Sequence, residues 1–247
     1  MCVKMIDPRI KAIEERTREV KRIIPVVSGK GGVGKSLIST TLALSLAENG
    51  YRVGLLDLDF HGASDHLILN ANPEIMPEED KGVVPPTFEG VKFMSIVFYS
   101  EDKPTPLRGK EISDALIEIL AVTRWNSLDF LVIDMPPGLG EQFLDILRFL
   151  KRGEFLIVGI PSILAVNVVR KLILLLKEGR YNILGIIENM VAEKGYLEEI
   201  SKEYDISYLG AIPYLPEIEN KIMEIKKSKF YDIIKKISEK IVLKDKA

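Results

Sequence analysis

The chain has 247 residues, of which 47% are hydrophobic and 28% charged, and its 34 basic and 36 acidic residues give a formal net charge of −2. This length can bury the core of one large α/β domain or two small ones, and the near-neutral charge predicts no nucleic-acid partner. The single cysteine, Cys2, excludes an internal disulfide and is typical of a reducing compartment. Because no apolar run is as long as a membrane span and the first residues lack the apolar core of a signal peptide, we expect a cytoplasmic protein.

Residues 1–22 precede the first predicted core strand and contain one charged helical segment. Asp7 can cap this helix and Pro8 can occupy its first turn, but the apolar stripe along it is thin. Two interpretations stay open, a solvated leader or a docking helix for a partner protein. We predict an N-terminal extension at 1–22 and a single domain at 23–247.

The stretch Gly29–Ser36 has the sequence G-K-G-G-V-G-K-S, which fits the phosphate-loop pattern G-x-x-x-x-G-K-[ST]. It lies between an apolar, strand-like run at 23–27 and a helical pattern at 37–46, as that pattern requires. The glycines let backbone N–H groups turn inward, and with the helix N-terminus these groups form a positive concavity for phosphate oxygens. Lys35 is predicted to reach the β- and γ-phosphates, and Ser36 to bind Mg²⁺. The predicted nucleotide contacts are Gly29, Gly31, Gly32, Val33, Gly34, Lys35, Ser36 and Leu37.

Three aspartates stand at the ends of predicted strands. Asp57 and Asp59 end the run at 51–59, and Asp134 ends the run at 128–134. Ligands of open parallel sheets bind at this end of the strands, and phosphoryl transfer needs Mg²⁺ and a group that orients the attacking water. We predict that Asp134 holds Mg²⁺ directly or through water. Asp57 and Asp59 should face one side if the strand stays extended; ordinary solvated carboxylates are the alternative.

Beyond the phosphate loop, helical and strand-like segments alternate to the end of the chain. An irregular stretch at 70–90 interrupts them. Strands that alternate with helices indicate a parallel sheet covered on both faces. We therefore predict an α/β fold in one domain, with a doubly wound and mostly parallel sheet. The expected strands are at 23–27, 51–59, 91–97, 128–134, 155–160, 183–189 and 208–212, and the expected helices at 37–46, 112–120, 141–150, 165–176, 194–204 and in one long terminal segment.

The terminal helix has apolar residues at helical spacing and a basic surface. Residues 221–247 hold nine lysines against four acidic residues. Such a helix can lie on a membrane, but the last helix of an α/β domain also needs an apolar face to close the core. We therefore expect packing on the domain rather than a membrane role.

The nucleotide loop carries an extra lysine, Lys30, directly after its first glycine. The form S-G-K-G-G-V-G-K-S resembles the deviant Walker A motif of the Mrp and MinD group of P-loop ATPases. Switch I and switch II of that family are similar to L-L-D-L-D-F-H-G at 55–62 and I-D-M-P-P-G at 133–138. The resemblance implies a Mg²⁺-dependent ATPase that forms a homodimer when ATP is bound, in which Lys30 reaches the nucleotide of the other subunit.

The same resemblance gives the switch aspartates and the base site their expected roles. It implies that Asp59 positions the attacking water and that Asp57 belongs to the metal shell. The segment L-G-I-I-E-N-M at 184–190 is similar to the family's adenine site, so Asn189 is expected to bind the base, with Pro213 in the loop that covers its other face. The chain has no N-K-x-D or T-K-x-D motif for guanine. ATP is therefore favoured over GTP.

The resemblance runs from about residue 23 to the C-terminus and points to the Mrp branch, with one departure. Typical Mrp proteins have a C-x-x-C pair shortly after E-N-M, and with it a dimer holds an iron–sulfur cluster. Here the sequence V-A-E-K-G at 191–195 contains no cysteine, and Cys2 is one thiolate, more often unengaged than a ligand. We therefore expect no Fe–S cluster.

A cysteine-free ATPase of this type with a charged N-terminal helix most resembles the archaeal Mrp/MinD-type HypB of [NiFe] hydrogenase maturation. That resemblance implies nickel insertion as the function, a HypA-like metallochaperone as the partner, nickel bound only through that partner, and residues 1–22 as the docking element. Two alternatives stay open. One is an Mrp-type iron–sulfur cluster carrier ATPase, and the other is a MinD-like spatial organiser that cycles on a membrane.

Two histidines, His61 and His66, lie in the predicted switch I segment. Nickel accepts imidazole ligands, but their spacing does not place them on one helical face, and ordinary loop or capping roles are the alternative. Whether the chain binds nickel directly through His61, His66 or Cys2 is left open.

Overall fold

The computed structural model describes residues 7–60, 62–100 and 108–244. The strands are β1 (Val20–Ser28), β2 (Val53–Asp57), β3 (Glu78–Glu79), β4 (Val83–Val84), β5 (Thr87–Phe88), β6 (Val91–Ser95), β7 (Leu128–Asp134), β8 (Glu154–Gly159), β9 (Asn182–Val191) and β10 (Tyr208–Pro213). The helices are α1 (Arg9–Thr17), α2 (Lys35–Glu48), α3 (Asp65–Ile68), α4 (Val97–Ser100), α5 (Lys110–Val122), α6 (Glu141–Leu147), α7 (Ile163–Glu178), α8 (Leu197–Glu203) and α9 (Lys229–Leu243), and a 3₁₀ helix spans Pro216–Lys227.

The main sheet has eight strands in the order β10-β9-β8-β1-β7-β2-β6-β5. All neighbouring strands are parallel except β5, which pairs with β6 in an antiparallel hairpin. The predicted fold class, a doubly wound and mostly parallel α/β sheet, is confirmed. The crevice that such folds use for ligands lies beside β1, because β7 and β8 flank this strand on opposite sides.

The central strands consist of nearly unbroken apolar runs because both faces of the sheet are covered. Every residue of β2 is buried, and in β7 only Asp129 is partly exposed. The register pairs Asp57 at the end of β2 with Asp134 at the end of β7. The two carboxylates therefore meet at the same edge of the sheet, next to the end of β1.

Helix α1 packs on the domain with its inner face. Ile13 is buried, Arg9 Nη1 lies 2.9 Å from Asp114 Oδ1 on α5, and Arg16 Nε donates to the carbonyl of Ala121 at 3.2 Å. Strand β1 begins at Val20, three residues earlier than predicted, since Val20 already pairs with Leu128 of β7.

The C-terminal segment is broken where one long helix was expected. Ser228 has an extended backbone, and its hydroxyl accepts a hydrogen bond from the N–H of Tyr231 at 3.1 Å, which caps α9. The apolar face of α9 is buried in the domain, as expected, and Ser238 Oγ lies 2.8 Å from Ser45 Oγ of α2. In the described parts of the chain no helix is long and apolar enough to cross a membrane.

Candidate functional site

The phosphate loop joins β1 to α2 and is held from two sides. Ser28 Oγ donates to the carbonyl of Lys30 at 2.9 Å, and Asn189 Nδ2, on β9, donates to the carbonyl of Val33 at 2.9 Å. Gly34 has a φ of +81°, and a Cβ there would lie 2.4 Å from Asn189 Nδ2. The loop therefore requires glycine at this position for both its backbone conformation and its contact with β9.

We expect Gly34→Ala to lower ATP affinity by about tenfold or more, since a displaced Asn189 would release the loop and strain at a positive φ alone is of the order of 1–3 kcal/mol. Gly32→Ala is the matched control, because Gly32 has a similar φ of +73° but a Cβ there would meet no atom within 4 Å. Calorimetric titration with a non-hydrolysable ATP analogue measures both variants. Equal losses in the two would show that the contact with Asn189 is unimportant.

A buried ion pair lies at the centre of the site. Lys35 Nζ is 2.7 Å from Asp134 Oδ2, and Ser36 Oγ donates to the same oxygen at 2.8 Å. Ser39, one helical turn after Lys35, donates to Asp134 Oδ1 at 2.6 Å. Burial by itself lowers the pKa of Lys35, but the hydrogen bond and charge of Asp134, together with the charges of Asp59 and Asp65, more than offset this, so the pKa lies above its ordinary value.

Asp57 lies beside Asp134 in the register of the sheet. Its Oδ2 accepts from Ser95 Oγ at 3.2 Å, and its Oδ1 accepts from the N–H of Asp59 at 3.0 Å. Burial, with the added charge of Asp134, raises the pKa of Asp57 to about 8. Carboxylate and hydroxyl oxygens are the ligands that Mg²⁺ prefers. The predicted metal-binding residues Ser36, Asp57 and Asp134 thus come together, and they fit this ion.

Asp59 lies outside the sheet, on the wall of the cleft. Asp57 and Asp59 were expected to face one side only if the strand stays extended, and this condition is not met, because β2 ends at Asp57. Asp59 is half-buried, and its Oδ1 accepts from the N–H of Gly62 at 3.2 Å. The residues that line this cleft include Lys30, Gly31, Gly32, Val33, Gly34, Lys35, Ser36, Leu37, Asp59 and Pro137.

A second cleft continues from the first and contains the predicted base-binding residues. Asn189 and Pro213 both line it, and Leu37 and Met190 line both clefts. The structure therefore brings the phosphate loop and the predicted base site into one continuous groove. The Nδ2 group of Asn189 already donates a hydrogen bond to the carbonyl of Val33, so this side chain also stabilises the phosphate loop.

Sequence reasoning missed Ser39, which could have been found, because a hydroxyl one turn after Lys35 lies on the same face of α2. Asp65 lies between His61 and His66 in the predicted switch I segment, where the sequence offers it only as one more candidate metal ligand. The structure shows that it is completely buried, and burial raises its pKa well above the usual range. His66 is buried in α3, whereas Cys2 and His61 lie outside the described residues.

A glycine loop between a strand and a helix, with a lysine, a serine and two aspartates at the edge of a parallel sheet, defines a P-loop NTPase, and the enzyme is an ATPase. A family model described as NUBPL iron-transfer P-loop NTPase (ParA) matches residues 19–242. The chain belongs to this family.

Curated relatives and a solved structure agree with this assignment. An iron–sulfur cluster carrier protein of Aquifex aeolicus is 36% identical over 218 residues, which are 82% of this chain and 60% of that protein. The cytosolic Fe–S cluster assembly factor CFD1 of Kluyveromyces lactis is 34% identical over 85% of this chain and 82% of its own length. The nucleotide-binding protein of Archaeoglobus fulgidus in complex with ADP superposes with a TM-score of 0.76 and 30% identity, covering 90% of this chain and 95% of that one.

These relatives correct two predictions. Nickel insertion in [NiFe] hydrogenase maturation is wrong, because the relatives are named iron–sulfur cluster proteins rather than HypB, and the HypA-like partner loses its support with it. The expectation of no Fe–S cluster is contradicted by the same names. Both wrong predictions were inferred from the missing C-x-x-C pair. Its absence shows that this segment supplies no thiolates for a cluster, but it does not show what the ATPase acts on.

Proposed function

We propose that this chain is an ATP-dependent dimeric switch in iron–sulfur cluster assembly in the cytosol, with the cluster as its cargo. The observation that carries this proposal is the similarity to an iron–sulfur cluster carrier across 82% of the chain. The site supports the ATP-dependent part, because its groove has groups suited to phosphates, Mg²⁺ and a base. The extra lysine of the loop, Lys30, which lines the cleft, supports the homodimer.

The thiolates of this chain do not make a complete cluster site. Clusters are generally held by four cysteine thiolates, whereas each copy of this chain has one cysteine, Cys2, and the segment 191–195 has none. The cargo therefore takes its remaining ligands from another polypeptide. In this proposal the chain works on a cluster shared with a donor, a client or a second type of subunit.

The nucleotide switch follows from the ion pair in the groove. For Lys35 to reach the β- and γ-phosphates it must leave Asp134, and the freed carboxylates of Asp57 and Asp134, with Ser36, would then hold Mg²⁺, which would supply positive charge at the phosphates. Asp59, on the cleft wall, orients the attacking water. Loss of the γ-phosphate reverses these contacts and releases the segments that follow β2 and β7.

The outer face of α1 is the surface we assign to partner docking. Its inner face is occupied by the packing of Ile13 on the domain, whereas Lys11, Glu14 and Glu15 are exposed. A charged face of this kind binds a complementary charged surface at modest affinity. Since α1 precedes the first residue of β1 and the phosphate loop follows its last, docking through α1 leaves the groove open to nucleotide.

An anaerobic transfer assay tests the proposed function. A cluster donor, an apo iron–sulfur client and this protein are mixed with ATP, with ADP or without nucleotide, and cluster arrival is followed by circular dichroism of the client. We expect faster transfer with ATP, slower transfer for Cys2→Ser, and loss of delivery with an unchanged ATPase rate for the pair Glu14→Lys and Glu15→Lys. Transfer at the same rate with and without this protein would remove the proposal.

A further inference from the structure

Asp65, the first residue of α3, is completely buried next to the phosphate-loop helix. Among the residues that the structure describes, neither of its carboxylate oxygens has a hydrogen-bond partner. A buried carboxylate without partners is strongly disfavoured as an anion, so the group needs either a proton or a cation. The position thus requires a chemical explanation.

Asp65 belongs to a cluster of three buried carboxylates. One oxygen from each of Asp57, Asp65 and Asp134 lies within 4.8 Å of the others. The three residues come from separate segments, the ends of β2 and β7 and the start of α3. Thr40 of α2 lies beside Asp65, and its buried hydroxyl likewise lacks a hydrogen-bond partner of good geometry in the described chain. Three carboxylate oxygens therefore lie close together in a buried position, with the Thr40 hydroxyl next to one of them.

The charge of this cluster depends on where Lys35 is. In the structure its ammonium contacts Asp134 and also feels the charges of Asp59 and Asp65. Once Lys35 turns to the phosphates of a nucleotide, the carboxylates lose their nearest cation. A small divalent ion with oxygen ligands meets this demand better than a second side chain.

We propose that Asp65 is a third acidic residue of the Mg²⁺ site in the nucleotide-bound protein, in contact with the ion or with a water molecule bound to it. Mg²⁺ keeps several waters and uses few protein carboxylates, so Asp65 completes a shell begun by Asp57 and Asp134. Because Asp65 starts α3, the ion also fixes this helix against the phosphate loop. Release of the ion frees α3 after hydrolysis.

Asp65→Asn separates this role from a purely structural one. If Asp65 is protonated and only fills space, the neutral amide of asparagine replaces it closely. If Asp65 is a ligand of the ion, the substitution removes one negative charge from the metal site. The variant is loaded with ADP and titrated with Mn²⁺, and the signal of free Mn²⁺ is followed by electron paramagnetic resonance. We expect Mn²⁺ affinity to fall by about 10- to 100-fold, and wild-type affinity in the variant would overturn the proposal.

Glu74→Gln is the control for this titration. Glu74 is exposed in the loop after α3, so this variant makes the same change of charge near the helix without touching the cluster. We expect it to bind Mn²⁺ as the wild-type protein does. A loss equal to that of Asp65→Asn would mean that long-range charge, and not contact, explains the result.

Hydrogen exchange in the wild-type protein tests the same proposal if Asp65→Asn does not fold. Mg²⁺ added to the ADP-loaded protein should slow exchange of the amides at 64–69, and a chelator should reverse this. Exchange at 64–69 that does not respond to Mg²⁺ would overturn the link between the ion and α3.

Discussion

Replacing Lys35 with methionine is expected to abolish ATP hydrolysis and to lower the free energy of unfolding by about 3–5 kcal/mol. Methionine keeps much of the length and apolar stem of lysine but has no charge. The loss of hydrolysis follows because the loop then lacks the ammonium that is expected to contact the β- and γ-phosphates. The loss of stability follows because Lys35, 5% exposed, is paired with Asp134, 0% exposed, and the change leaves that carboxylate buried without its cation.

A second substitution separates the two effects. Asp134→Asn in the Lys35→Met background removes the orphaned charge, and its amide can still bond to Ser36 and Ser39. We expect the double variant to regain most of the stability in urea unfolding but none of the activity in a phosphate-release assay. If the single and double variants unfold at the same urea concentration, the ion pair does not contribute as the structure indicates.

The parts of the site that were predictable are those where the sequence itself dictates the local backbone. The glycines and the lysine of 29–36 can be placed because they fix a turn and the start of a helix, and Asp57 and Asp134 because apolar strands of a parallel sheet end at one edge. The end of β2 at Asp57 could not be predicted, because the following sequence L-D-F at 58–60 is compatible with both an extended and a bent backbone. The break at Ser228 was equally hidden in a continuous helical pattern.

What the sequence could not show depends on tertiary packing. Asp65 lies beside Asp57 and Asp134 only because the tertiary fold brings the start of α3 to the ends of β2 and β7. Its sequence neighbours are Ser64 and His66, so the local sequence is equally compatible with an exposed aspartate at the start of a helix. The cluster cargo could not be predicted for a related reason. The missing C-x-x-C pair excludes only one way of holding a cluster, because the ligands of a transferred cluster can also come from a second protein.

Replacing Asp59 with asparagine is expected to slow ATP turnover by about 10²–10⁴-fold, the usual contribution of a group that assists proton transfer. The reason that this variant should stay folded and bind ATP is visible in the contacts. Asp59 is half-buried, its backbone N–H bonds to Asp57, and its side-chain oxygen accepts from Gly62. Asparagine keeps all of these, so only the negative charge is lost, which we propose orients the attacking water.

The trapped state should then be an ATP-loaded dimer, which light scattering detects after mixing with ATP and Mg²⁺. Lys30→Ala is the comparison, because Lys30 lines the cleft but makes no contact with Asp134 in the described structure. We expect Lys30→Ala to bind ATP and remain monomeric, whereas Asp59→Asn binds ATP and remains dimeric. Wild-type turnover in Asp59→Asn would remove its catalytic role. A stable dimer of Lys30→Ala would place the dimer contacts on other residues.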